Sequence, residues 1–184
     1  MARETSSNSG IPESGWHGAA ISASSSKSGG EQSQAQGVSW VRVNHKLWIV
    51  LVEDNPADVR LVREAFYESR LEYDLTVVND GEKAIRIIER IDRENMACPD
   101  LMVLDIGLPR KGGFQVLECA RASERCTQIP VVILTSSNAQ EDRDMAVKLG
   151  ATRYIRKPDD WEGYIGLAGM FQEILAENQR GGPK

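Results

Sequence analysis

The chain has 184 residues, 41% of them hydrophobic and 27% charged, and a formal net charge of −5, which fits a soluble chain with one ordinary core. Residues 1–45 carry three basic side chains (Arg3, Lys27, Arg42) and three acidic ones (Glu4, Glu13, Glu31), so the whole negative charge falls in 46–184 and direct binding of nucleic-acid phosphate is not expected. The longest apolar run, Leu47 to Val52, is too short to span a bilayer, and no charged segment followed by an apolar one opens the chain as a secretory leader would.

Residues 1–40 hold eleven Ser and six Gly, with large apolar residues only as isolated positions, so residues 1–45 are expected to form a disordered tail. A non-functional extension is favoured over a tether or modification site. From Lys46 the pattern changes. Leu47 to Val52 is a continuous apolar run suited to a strand buried on both faces. Asn55-Pro56 then opens a helix with Leu61, Val62, Ala65 and Phe66 on one face. Leu75 to Val78 is a second strand, and Gly81 to Arg93 a helix with Ala84, Ile85, Ile88 and Ile91 inward. Leu101 to Leu104 is a third strand, followed by a helix from Gly113 to Ala122. Pro130 to Leu134 is a fourth strand, and the helix over Ala139 to Leu149 stops at Gly150, a residue suited to a left-handed cap. Thr152 to Ile155 is a short fifth strand. The last helix, Trp161 to Glu177, places Trp161, Tyr164, Ile165, Ala168, Phe171, Ile174 and Leu175 at core spacing. Five strand-helix units in series imply an α/β fold, a doubly wound parallel sheet with helices on both faces. Cys98, Cys119 and Cys126 are an odd set without CxxC spacing, which argues against a disulfide framework and a zinc site and favours a reduced cytoplasmic setting.

Such sheets bind ligands at the carboxyl ends of their strands. There the chain places Glu53 and Asp54 after strand one, Asp105 after strand three, Thr135 and Ser136 at the end of strand four, and Lys157-Pro158 after strand five. Any one of these is an ordinary turn or cap residue. Together they bring three carboxylates to one rim, and close carboxylate pairs repel by about 4 kcal/mol at an effective dielectric near 20. One Lys does not offset that, so either protonation or a divalent cation is expected, and an oxygen-only donor set points to Mg2+ or a similar ion such as Mn2+. Metal, ammonium and hydroxyl aimed at one carboxylate suit phosphoryl transfer.

Glu53-Asp54, Asp105 followed by Leu108-Pro109 and Gly113, Thr135-Ser136, Gly150-Ala151, Tyr154 and Lys157-Pro158 resemble, in order over residues 46–178, the receiver domain of two-component response regulators. The string Val52 to Asp58 further resembles stand-alone receivers associated with phytochrome-type histidine kinases. The resemblance implies a flavodoxin-like five-stranded sheet of order 2-1-3-4-5. It implies that Asp105 is the phosphoacceptor, attacking a kinase phosphohistidine in line, and that Asp54, Asp105 and the Gly107 carbonyl hold Mg2+, with Glu53 acting through water. Lys157 then pairs with a phosphoryl oxygen and Thr135 hydrogen-bonds another, Thr135 and Tyr154 form a switch, and Lys157-Pro158 is a cis peptide. Implied partners are a sensor histidine kinase or a phosphotransfer protein, with Arg60, Arg63 and Glu64 of the first helix exposed towards it. The resemblance also implies homodimer formation through the face of helix four, strand five and helix five, although the default for Arg143, Arg153 and Arg156 is a solvated charged face. Direct nucleic-acid binding and membrane insertion are not expected. Residues 179–184 are expected to be a flexible end, leaving no output domain, so the signal is expected to leave by protein contact or onward phosphotransfer.

Gly107 and Ser137 stand two residues after Asp105 and Thr135, where the family often has larger polar side chains that orient hydrolytic water. A long-lived acyl phosphate is therefore expected. Gly112 in place of an acidic residue is loop variation. A haloacid-dehalogenase-like phosphatase needs an Asp at position 107, a Walker-type nucleotidase needs GxxxxGK[ST], and an acidic rim repels a flavin phosphate. The serious alternative is a phosphorylation-independent receiver-like scaffold, but such proteins usually lose the acceptor, the acidic pair or the Lys, all present here.

Overall fold

Six consecutive apolar residues form β1 (Leu47–Val52), and five of the six are buried because helices cover both of its faces. The computed structural model describes residues 46–68 and 71–179; the expected tail over 1–45 and end segment over 179–184 lie outside them, except Gln179, which closes the last helix. The order continues as α1 (Pro56–Glu68), β2 (Tyr73–Val78), α2 (Gly81–Glu94), β3 (Leu101–Leu104), α3 (Gly113–Ala122), β4 (Val131–Thr135), α4 (Gln140–Lys148), β5 (Arg153–Arg156) and α5 (Trp161–Gln179). All four strand pairings are parallel and the sheet order is β2-β1-β3-β4-β5, as expected of a doubly wound sheet. β2 begins two residues before the apolar run because Tyr73 and Asp74 pair with Leu47 and Trp48. No helix among the described residues is long and apolar enough to cross a membrane.

Alternate residues of β1 and β3 feed two cores. Trp48, Val50, Val52, Met102 and Leu104 pack with α2 and α3, while Ile49, Leu51, Leu101 and Val103 pack with α1 and α5. Phe66 of α1 stacks on Phe171 of α5 at 4.9 Å between ring centroids, an offset contact worth about 0.5–1.5 kcal/mol beyond burial. Trp161 and Ile165, expected in this core, are instead 38% and 41% exposed. They share a helix face one turn apart, and the buried stripe runs beside it through Tyr164, Leu167, Ala168, Phe171, Ile174 and Leu175.

The expectation against a disulfide is overturned, because Cys98 and Cys126 are bonded and Cys119 is the free thiol. The two cysteines precede β3 and β4, which are neighbours in the sheet, so proximity comes from strand order and their separation of 28 residues hides it. Other bonds gather the loops at this same end, where β3, β4 and β5 begin. Arg121 donates to the carbonyls of Thr127, Ile129 and Gly150. Asp92 accepts from the Ser123 hydroxyl and the Arg125 N–H, and Arg125 reaches the Met96 carbonyl. Gly150 has φ +79°, the left-handed stop its position suggested.

Candidate phosphoacceptor and metal site

The parallel hydrogen-bond pattern runs one residue past the strands. Glu53 N–H donates to Val78 O (2.9 Å), Asp105 N–H to Val52 O (3.0 Å) and Lys157 N–H to Thr135 O (2.8 Å). Backbone pairing therefore delivers Glu53, Asp105 and Lys157 to one rim. There the Lys157 ammonium meets Glu53 Oε2 at 2.7 Å, Asp58 Oδ2 at 2.8 Å and Asp105 Oδ2 at 2.9 Å. Burial works against its charge, but hydrogen bonds to Asp58, Glu53 and Asp105 outweigh that and hold Lys157 protonated above its ordinary range. Burial pushes the Glu53 carboxyl up despite Lys157, and its Oε1 accepts the Asn55 N–H at 3.0 Å. Asp105 Oδ1 accepts the Gly107 N–H at 3.2 Å.

Asp54 is exposed beside this pair, and Glu53, Asp54 and Asp105 each offer a carboxylate oxygen, all within 4.8 Å of one another. Three carboxylates contact one ammonium and a fourth, Asp54, lies beside two of them, so the surplus of negative charge inferred from sequence is larger in space. A donor set of oxygens alone fits Mg2+ or Mn2+.

Asp58 and Tyr164 were not expected here. Asp58, in the first turn of α1, accepts from Lys157 at 2.8 Å and from Asn55 Nδ2 at 3.0 Å, and the Tyr164 phenol lies within reach of its charge. Burial and the Asp58 carboxylate push the Tyr164 phenol up to about 12. Asp58 lies 99 residues from Lys157, and its presence in the string Val52 to Asp58 was the only signal in sequence.

Thr135 and Tyr154 meet on a neighbouring segment. The Thr135 hydroxyl accepts the Ser137 N–H at 3.3 Å, and the Tyr154 hydroxyl donates to the Ser137 carbonyl at 3.2 Å. Arg143 lies over the half-buried Tyr154 ring, 4.8 Å from its centroid. Ser137 directs its own hydroxyl to Asp142, at the start of α4. A side chain on Gly107 would begin 3.7 Å from Asp105 Oδ2, so glycine leaves the acceptor uncovered. The expected cis Lys157-Pro158 bond is not found, since there is no cis peptide among the described residues. Even before Pro the trans form is intrinsically preferred, and pairing of Lys157 N–H with Thr135 already aims the side chain at the rim.

A third buried carboxylate, after Glu53 and Asp105, stands on the same rim. Asp80 caps α2 through the Lys83 N–H at 2.8 Å, and its Oδ2, which has no hydrogen-bond partner, faces Lys83 and Arg110 at 3.5 Å each. Burial alone raises this carboxyl; the Lys83 N–H, Arg110 and the Lys83 charge outweigh it and hold Asp80 below its usual range. A Cβ on Gly81 would lie 1.9 Å from the Lys111 carbonyl oxygen, so the β3–α3 loop rests directly on the first turn of α2.

Residues 49–163 match the family model of the response regulator receiver domain. Response regulator Rcp1 of Synechocystis sp. is 36% identical over 110 residues, covering 59% of this chain and 75% of Rcp1. The crystal structure of a phosphorylated cyanobacterial phytochrome response regulator, RcpA, is similar with a TM-score of 0.66 and 30% identity, over 73% of this chain and 96% of that one. The receiver domain of the sensor histidine kinase PA1611 from Pseudomonas aeruginosa, with magnesium coordinated in its active-site cleft, gives a TM-score of 0.59 and 27% identity over 72% and 99% of the two chains.

Proposed function

Because the chain belongs to the response regulator receiver family of two-component signalling proteins, we propose that it takes a phosphoryl group from a histidine kinase phosphohistidine onto Asp105 and signals through the protein contacts this shifts. The observation that carries the reading is the Lys157 ammonium, 2.9 Å from Asp105 and set among further carboxylates. The Asp105 carboxylate attacks phosphorus in line, an O–P bond forms, the P–N bond breaks, and the leaving imidazole nitrogen keeps the electron pair and takes up a proton. Asp54, Asp105 and the Gly107 carbonyl hold Mg2+ or Mn2+, with Glu53 acting through water. The ion supplies charge neutralisation for the donor phosphoryl oxygens, which an anionic rim otherwise repels. Lys157 pairs with one phosphoryl oxygen. The Thr135 hydroxyl leaves the Ser137 N–H for another, and Tyr154, bonded to the same residue, follows as the second half of the switch.

With Gly107 bare and Ser137 bonded to Asp142, neither residue orients water at the acyl phosphate, which is therefore long-lived. The protein's own phosphorylation and dephosphorylation are its only chemistry. The donor is a phytochrome-type sensor kinase or a phosphotransfer protein, approached through α1, where Arg60 and Arg63 are exposed. A homodimer forms through α4, β5 and α5, where Val147 is 75% exposed. The setting is cytoplasmic, where ATP-derived phosphohistidine is made, and the net charge of −5 disfavours nucleic acid. Incubation with acetyl phosphate and Mg2+ followed by intact-mass measurement tests the reading: one added phosphoryl mass is expected. No gain, or a gain that survives Asp105→Asn, defeats it and leaves the phosphorylation-independent scaffold.

A further inference from the structure

The ammonium of Lys157 has three hydrogens and three carboxylate partners, so none is idle. Two partners, Glu53 and Asp105, come from adjacent strand ends and belong to the acidic site itself. The third, Asp58, comes from α1. An acidic residue in the first turn of a helix is ordinarily explained by the helix dipole alone. Asp58 is held more tightly than that role requires, since donors from two places converge on its Oδ2, Lys157 after β5 and Asn55 before α1, and the Tyr164 phenol of α5 lies near enough to feel its charge.

Resting on the phosphoacceptor reading above, we infer that Asp58, steadied by Asn55, is a positioning residue that anchors the Lys157 ammonium on the α1 side and holds one of its hydrogens away from Asp105 and Glu53. Without Asp58, one ammonium hydrogen returns to Asp105 or Glu53, and the Asp105 oxygens that must attack phosphorus are more firmly engaged. With Asp58, the ammonium shares its charge among three carboxylates. It also keeps one fixed attachment while its other hydrogens turn to the incoming phosphoryl oxygens. Tyr164 acts at one remove, through the interaction of its neutral phenol with the Asp58 carboxylate.

The test compares the wild type with Asp58→Asn and Tyr164→Phe, both close in shape to the original residues, in the full chain. The NMR signal of the Lys157 ammonium, read without any phosphodonor, is expected to shift in both variants. The rate of phosphorylation by acetyl phosphate in Mg2+ is expected to fall by about ten-fold at saturating donor in Asp58→Asn, the size of one hydrogen bond to a charged group. The half-saturating donor concentration should not rise, and Tyr164→Phe should give a smaller loss in the same direction. An unchanged ammonium signal in Asp58→Asn overturns the proposal, and so does a shifted signal with an unchanged rate. A variant that only melts earlier, keeping both signal and rate, shows a structural role and overturns it too. If the wild type itself gains no phosphoryl group, the phosphoacceptor reading fails, while the ammonium signal still decides whether Asp58 anchors Lys157.

Discussion

Two of the buried carboxylates at strand ends of this rim, Asp80 after β2 and Asp105 after β3, have opposite surroundings. Asp80 has the Lys83 N–H for one oxygen and two cations, Lys83 and Arg110, facing the other. Asp105 shares a single ammonium with Glu53 and Asp58, and Asp54 adds a fourth carboxylate nearby. The Asp80 corner holds cation in excess and is complete as built. The Asp105 corner holds anion in excess, and only an added cation balances it. Burial is common to both corners, so it is local charge balance that separates a structural cap from a site that takes a ligand.

The largest effect separating the corners is expected in the phosphorylation assay, where Asp105→Asn loses the added mass completely and Asp80→Asn retains it. Next is the response to magnesium. At an ion concentration one hundred times the dissociation constant, thermal or urea unfolding of the wild type should show a gain of about 2.7 kcal/mol. Asp54→Asn should lose most of that gain and Asp80→Asn none of it; an equal response in both would erase the distinction. Third, Asp80→Ala removes a cap and should cost about 1–2 kcal/mol in urea unfolding, with no change in magnesium affinity.

The smallest effect is in pH dependence, and its sign differs between the corners. Asp80 is held below its unfolded value of 3.8, so its contribution is present above that pH and is lost as pH falls through the lower folded value. Tyr164, raised from 10.0 to about 12 by burial and the Asp58 charge, makes a contribution that is present below pH 10 and is lost as pH rises through 12. Melting curves of Asp80→Asn should therefore differ from wild type least in acid, and the alkaline fall in stability should be shallower in Tyr164→Phe.

Apolar runs such as Leu47 to Val52 and the turn residues between them made the sheet and its carboxyl rim legible, because each depends on neighbours in sequence. Glu53 and Asp105 were legible for the same reason, being the first polar residues after buried strands, and Lys157 was legible from the Lys-Pro pair that follows β5. Asp58 was not, since at a helix start its charge has an adequate local explanation, and its true partner is reached only when α1 and β5 meet the same rim. Tyr164 has core spacing, and spacing says nothing of where its hydroxyl ends. The Cys98–Cys126 bond and the exposure of Trp161 likewise depend on which elements become neighbours, which the local pattern does not carry.

Arg121, at the opposite end of the strands from the rim, gathers the carbonyls of Thr127, Ile129 and Gly150 under one guanidinium. With the disulfide beside it, this end of the domain is a plinth. Loops on a plinth do not yield when charge is added above them, so any displacement that phosphate produces is thrown toward the upper loops and the helix starts they feed. Amide exchange should accordingly be slow at Thr127, Ile129 and Gly150 in both phosphorylation states, leaving change to be read at Ser137 and Tyr154.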